Sequence, residues 1–269
     1  MRIPFTKAHG ARNDFLLTWA QEAPFENFSI AARALCDRHS GVGADGWIIV
    51  NGPEGRSPEY HASIRLFNSD GSAAEISGNG TRCAAAFLID SGLEAEEICI
   101  RTGAGLKYLR LIEKTGFRFV LEMKMGIPRY RDEDIRFTLP LASGSQEVTI
   151  LDVGNPQCAV LVEDLNTIDW RRLGAELEHH PHFPNRTNVS FIQRLDEHTI
   201  EARFYERGAG ETESSGTGSA GAAAAAILRN AVKSPVRVLT PGGPLEVSWD
   251  GELRMVGPAE IVAGGEFYF

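Results

Sequence analysis

The apolar and polar positions of this chain fall into short β-type runs broken by Gly, Asn and Asp, interrupted by two segments that are apolar all round. Trp47–Val50, Ile64–Phe67, Glu97–Ile100, Lys107–Ile112 and Phe117–Met123 carry β-branched and aromatic residues between turn formers and predict strands. Glu147–Val153, Cys158–Val162, Val189–Ile192, Thr199–Tyr205, Val236–Leu239 and Leu245–Trp249 repeat that pattern farther along. Ala84–Leu88 and Gly221–Leu228 are small and apolar on every face, which is the pattern of a helix buried all round. Ile30–Arg38 and Asp169–His179 predict amphipathic outer helices.

The two apolar segments belong to an internal repeat. Ser77-Gly78-Asn79-Gly80 and Ser215-Gly216-Thr217-Gly218 lie 138 residues apart, and each opens a buried helix. The same offset pairs Glu75 with Glu213, Ile98 with Val236, Ile100 with Val238 and Thr102-Gly103 with Thr240-Pro241. Farther out the register drifts, and Gly126 and Pro128 after one strand resemble Gly257 and Pro258 after another. The period is too long for a solenoid, whose repeats run to about 20–50 residues. The expected fold is therefore α/β (α+β) with two pseudo-symmetric domains, each a curved β-sheet or barrel around a central helix. The expected boundaries are 1–122 with a C-terminal strand at 259–269, and 123–258.

Charge narrows the partners. The 269 residues carry 27 Lys and Arg against 36 Asp and Glu, a net −9. That balance excludes a basic nucleic-acid footprint and gives no attraction to an anionic membrane. No apolar run reaches the roughly 18 residues of a spanning helix, and MRIPFTKAHGARNDF lacks the apolar region of a signal peptide, so a cytoplasmic protein is expected. Cys36, Cys83, Cys99 and Cys158 are dispersed without a CxxC pair, which argues against disulfides and structural zinc. His179, His180 and His182 cluster around Pro181 without a metal-ligand spacing and read as a solvated loop; no metal site is expected. No phosphate-loop or dinucleotide fingerprint is present, so no cofactor is expected.

Glycines at the start of a buried helix let backbone N–H groups and the helix dipole act on an anion. The same residues also suit plain helix packing, with Ser77 and Ser215 as N-caps. Two matching turns favour one shared ligand, such as an amino-acid carboxylate held from two sides. Asn13, Asn68, Asn155 and Asn188 sit at strand ends and suit the amine and carboxylate of a zwitterion. Glu206 and Arg207, in Tyr205–Glu211, precede the second turn and suit a further ammonium and carboxylate.

HGARNDF, DRHSGVGADG, FNSDGS, SGNGTRC, GNP, TNVSF, YERGAGET, SGTGSA and GPAEIVAGGEF, in this order and spacing, resemble the diaminopimelate epimerase family over nearly the whole chain. The resemblance implies two pseudo-symmetric domains around a cleft, a homodimer, and inversion of a stereocentre of diaminopimelate without metal or pyridoxal phosphate, on the route to lysine and peptidoglycan. Family members use two cysteines, one at each helix start, as the proton carriers on opposite faces of the α-carbon. The matching positions here are Ser77 and Ser215, and Gln157 stands where the family commonly has His. Asn13, Asn68, Asn155, Asn188, Glu206 and Arg207 match the family's substrate contacts; Gly78, Asn79, Gly216 and Thr217 match its carboxylate-binding turns; Gly46 stands where some members carry Gln. A serine needs an adjacent base, and Glu206 is the remaining carboxylate for it. The resemblance thus implies an epimerase with Ser77, Ser215 and Glu206 in catalytic positions, weak or inactive as written. Two alternatives stay open. One is a lyase or isomerase of different chemistry, since relatives in the wider superfamily with Ser or Thr for one cysteine dehydrate hydroxyprolines. The other is an amino-acid-binding homologue without turnover.

Overall fold

The computed structural model describes residues 2–23, 27–52, 59–142 and 144–269. The chain divides into two compact units, Met1–Met123 with Gly257–Phe269, and Lys124–Val256. In the first unit the elements are β1 (Arg2–Gly10), β2 (Asn13–Trp19), α1 (Phe28–Cys36), β3 (Gly46–Asn51), β4 (Ala62–Asn68), β5 (Ala73–Ala74), α2 (Gly78–Asp90), β6 (Ile98–Thr102), β7 (Gly105–Thr115) and β8 (Arg118–Gly126). In the second they are β9 (Phe137–Leu141), β10 (Gly144–Asp152), β11 (Pro156–Val162), α3 (Trp170–Glu178), β12 (Asn188–Arg194), β13 (Thr199–Glu206), β14 (Gly210–Thr212), α4 (Gly216–Leu228), β15 (Val236–Thr240) and β16 (Gly243–Asp250), followed by β17 (Glu252–Tyr268).

In the first unit eight strands close into a barrel in the order β17-β1-β2-β3-β4-β6-β7-β8 and back to β17. The second unit repeats the pairing step by step. β2 and β3 pair parallel, as do β11 and β12. β4 and β6 pair parallel, as do β13 and β15. The short β5 hangs on β4 as β14 hangs on β13, both antiparallel. This is the α+β architecture that the alternation of short strands with two all-apolar helices predicts.

The helices α2 and α4 are buried from Gly78 to Leu88 and from Gly216 to Ala226. Each packs against strands of its own barrel: α2 on β1, β2, β3, β6 and β7, and α4 on β10, β11, β12, β13, β15 and β16. Alanine and glycine dominate α4, where strands approach from all sides, while α2 also buries Arg82, Phe87 and Leu88. The outer helices α1 and α3 are amphipathic and capped by Asn27 and Asp169. Leu35 of α1 joins Leu16, Trp47 and Ile49 in one core, while Leu177 of α3 joins Val160, Val189 and Phe191 in the other.

Two local expectations change. Asn13, read as a loop residue, is the first residue of β2, because Ala11 and Arg12 alone make the turn, both at positive φ (50° and 65°). Gly257-Pro258, read as following a strand, lies inside β17, which runs on to Tyr268. β17 leaves β16 at Val256 and takes up β1 at Glu260, so Pro258 falls where no ladder N–H is needed.

Candidate functional site

Each unit presents its candidate residues where strand ends meet the start of its central helix. Ser77 and Ser215 adopt the same conformation, φ −132°, ψ 124° and φ −136°, ψ 123°. Both are N-caps: Ser77 Oγ accepts from the Gly80 N–H at 3.1 Å, and Ser215 Oγ from the Gly218 N–H at 3.0 Å. The capping role and the anion-site role are compatible, since each serine oxygen lies at the positive end of a 13-residue helix. A Cβ on Gly218 would stand 2.8 Å from Ser215 Cβ and Oγ and 2.9 Å from the Phe204 ring. Gly218→Ala is therefore expected to cost about 1–3 kcal/mol through overpacking, read by urea denaturation.

In the first unit a chain of donors runs from α2 outward. The fully buried Arg82 donates from Nη2 to Asn79 Oδ1 (2.5 Å) and from Nε to the Pro258 carbonyl (3.2 Å). Asn79 Nδ2 donates to Asn13 Oδ1 (3.3 Å), and Asn13 Nδ2 to Asp45 Oδ2 (2.7 Å). A guanidinium only donates, so Arg82 turns the Asn79 oxygen inward and leaves its N–H groups for Asn13. Desolvation pulls the Arg82 pKa down to about 10, so it remains a cation at neutral pH. The Asp45 carbonyl accepts from the Ser69 N–H, which brings the Asn68 turn beside Asn13. Asn68 itself is exposed and donates to Ser72 Oγ at 3.0 Å. Gly46 pairs with Asn68 across β3 and β4, and a Cβ there would stand 2.8 Å from the Phe67 carbonyl, so this backbone admits no longer residue.

The second unit is wired differently. Gln157 Nε2 donates to Asn155 Oδ1 (2.8 Å), and Asn155 Nδ2 to Thr217 Oγ1 (3.2 Å). Gln157 is fully buried against Gly221, with its Oε1 unpartnered. Asn188 Nδ2 donates to the Pro156 carbonyl (3.0 Å), and its Oδ1 accepts the Arg207 N–H (3.1 Å). Glu206 closes β13 beside Ser215. Burial pushes its carboxyl above the usual range, and the nearby Ser215 and Thr212 hydroxyls oppose that shift in part. Asn68, 138 residues before Glu206, ends β4 as Glu206 ends β13, so a neutral amide holds the position where the second unit has an acid.

The structure therefore joins Asn13, Asn79 and the Ser77-Gly78 turn with Asn68 nearby in one unit. In the other it joins Asn155, Asn188, Glu206, Arg207 and the Ser215-Gly216-Thr217 turn. Asp45 and Arg82 belong to the first group but were not singled out from the sequence. Their signals were an acid inside GVGADG and a lone cation in an otherwise apolar helix. No group of three His, Cys, Asp or Glu suited to a metal ion occurs among the described residues. In the histidine loop, His180 Nε2 lies 2.8 Å from the Pro140 carbonyl and its Nδ1 accepts the His182 N–H. All four cysteines are buried, and desolvation pushes the Cys36 and Cys83 thiols up to about 12, so neither supplies a thiolate. No helix among the described residues is long and apolar enough to cross a membrane.

Chemically, the two helix starts present backbone N–H groups, and Ser215 stands beside the Glu206 carboxyl. The family model described as diaminopimelate epimerase matches residues 5–130 and 149–262. The chain is 39% identical to a diaminopimelate epimerase of Halothermothrix orenii, over 99% of this chain and 98% of that protein. It is also 39% identical to one of an Azoarcus species, over 99% of each. In fold it is similar to a Bacillus anthracis phenazine biosynthesis protein of the PhzF family (TM-score 0.72, 16% identity, all of both chains). A probable proline racemase of Agrobacterium radiobacter is similar too (TM-score 0.69, 14% identity, 98% of this chain and 92% of that one).

Proposed function

The chain belongs to the diaminopimelate epimerase family, and from that premise we propose that it binds diaminopimelate and exchanges the proton at its α-carbon slowly, without metal or organic cofactor. The observation that carries the reading is the matched pair of serine-capped helix starts, one per unit, each with an asparagine bonded to the residue two after the serine. Inversion needs a proton removed from one face of the α-carbon and a proton returned to the other. In this reading Ser77 and Ser215 are the two carriers. On the Ser215 side, ionised Glu206 takes the hydroxyl proton as the serine oxygen takes the α-proton, and the two transfers reverse on return. The Ser77 side has Asn68 where the other has Glu206, so it is the slower carrier. The α-carboxylate is held by the N–H groups that follow the serines, which also stabilise the negative charge that develops beside it.

The reading places the protein in lysine biosynthesis, as a cytoplasmic homodimer whose mass sedimentation equilibrium would report. The test of function is deuterium incorporation at the α-carbon of LL- and meso-diaminopimelate in D₂O, with binding followed by calorimetry. Binding with slow incorporation is expected, unchanged after exhaustive chelation. Absence of binding to either isomer overturns the substrate assignment, and loss of exchange on chelation with recovery on adding metal overturns cofactor independence.

The same pocket without turnover is the second reading, favoured by the absence of a thiol at both carrier positions. It predicts binding with no deuterium uptake.

A further inference from the structure

Three residues on one side of α3, spaced i, i+3 and i+7, reach the turn that carries Glu206 and Arg207. Gly174 lets the helix lie against the last part of β13, since a Cβ there would stand 2.8 Å from Tyr205 Cβ. Glu178, fully buried, accepts the Gly208 N–H at Oε1 (3.1 Å) and Arg186 Nη2 at Oε2 (2.6 Å). Arg171 grips the far end of the turn, with Nε and Nη2 bidentate on Glu211 at 2.6 and 2.7 Å. The turn is thus held just before its two site residues and at two points after them.

Glu178 also reaches the neighbouring strand entry. Arg186 sits in the left-handed region (φ 61°), and Asn188, two residues on, accepts the Arg207 N–H. That conformation is uncommon for a non-glycine residue, and here the Arg186 side chain is tied to Glu178 and its N–H donates to the Phe183 carbonyl. His179 Nδ1 lies 2.5 Å from the same Oε2 that Arg186 holds. In the first unit the corresponding helix α1 reaches the Asn68 turn through the exposed Arg33, which donates to the Asp70 carbonyl at 3.3 Å. A buried ion is an expensive way to hold a surface turn unless the turn's position matters.

We propose that α3 is the clamp of the second half-site and that Glu178 is a positioning residue, acting through the Gly208 N–H and Arg186 to set Arg207 and Glu206 for the ligand. The proposal rests on the reading of this site as a diaminopimelate site, but one arm of its test does not. That arm is amide exchange of the 205–211 segment in the ligand-free full chain, followed by mass spectrometry. Glu178→Gln keeps the shape and removes the charge, and is expected to speed exchange there about tenfold while leaving α4 unchanged. The second arm is the Kd for meso-diaminopimelate, expected to weaken about tenfold in Glu178→Gln and less than about threefold further when Arg207→Ala is already present. A merely structural role predicts the same factor in both backgrounds, and that result overturns the proposal. Unchanged exchange at 205–211 overturns it as well. Where Glu178→Gln does not fold, Arg171→Ala releases the exposed end of the clamp at little cost in stability and is expected to move both readouts in the same direction. If the unsubstituted protein binds no diaminopimelate, the substrate reading fails and the exchange arm alone decides the clamp.

Discussion

Replacing Ser77 and Ser215 together by cysteine is expected to raise epimerisation of diaminopimelate by about 10²–10⁴-fold, the usual worth of positioned acid–base groups. An unperturbed thiol ionises at about 8.5, whereas an alcohol holds its proton far more tightly and needs an adjacent base. The dipole of a helix start contributes about 0.3–1 kcal/mol when exposed and up to about 2 when partly buried, and one pKa unit is worth about 1.4 kcal/mol. The N-termini of α2 and α4 therefore move a pKa by a unit or so. That brings a thiol into the working range and leaves an alcohol out of it. Each single replacement is expected to do much less, because each face of the α-carbon needs its own carrier. The two thiols also differ. Arg82 lies in the second turn of α2 and donates to the Gly78 carbonyl, so a cation backs position 77. Glu206 faces position 215. Thiol alkylation against pH should give the lower pKa for Ser77→Cys. Gln157 carries no proton to exchange and limits the gain. An unsubstituted rate equal to or above that of the double variant would refute the argument and send the bases elsewhere.

What the sequence made legible follows from which constraints are local. The strands and the two buried helices are written in composition: Trp47–Val50 became β3 almost residue for residue, and a run such as Ala222–Ala226 has no amphipathic alternative. The conserved geometry of the repeat was legible because glycine turns, unlike loops, tolerate little drift in register. β1 and β9 carried too few β-branched residues to stand out; β1 forms between β2 and the distant β17, and β9 forms as the hairpin partner of β10. At the site, the strand-end asparagines were legible as polar residues in turns. Their orientation was not, because it is set by partners remote in sequence, Asn79 and Asp45 for Asn13 and Thr217 for Asn155. Glu178 lay at the end of an ordinary amphipathic helix, and nothing local separates a buried carboxylate from an exposed one in such a pattern. That distinction is made by tertiary packing, here by Arg186 and the Gly208 N–H arriving from later segments.

Glu206→Gln is expected to trade function for stability, with a sign that depends on pH. Burial raises the folded-state pKa of Glu206 above its ordinary value of 4.5. Between the unfolded and the folded value the native state holds more protons than the unfolded chain, so stability falls as pH rises through the folded value. Above the ordinary carboxylate range the cost of ionising Glu206 in its folded surroundings works against the fold, and below about pH 4 the group is neutral in both states and does not. The glutamine variant keeps the shape and can accept from the Ser215 hydroxyl, but never ionises. Its melting temperature should exceed that of the unsubstituted protein at about pH 8, with the difference closing as the pH falls below the ordinary carboxylate range. The same change removes the carboxylate beside Ser215. In the double-cysteine background it should lower α-proton exchange by about 10²-fold or more. A glutamine variant that is less stable at high pH would mean that Glu206 is held by favourable charge interactions rather than against burial. One that exchanges the α-proton as fast as its parent would remove Glu206 from the proton path and leave it to bind the substrate's distal ammonium.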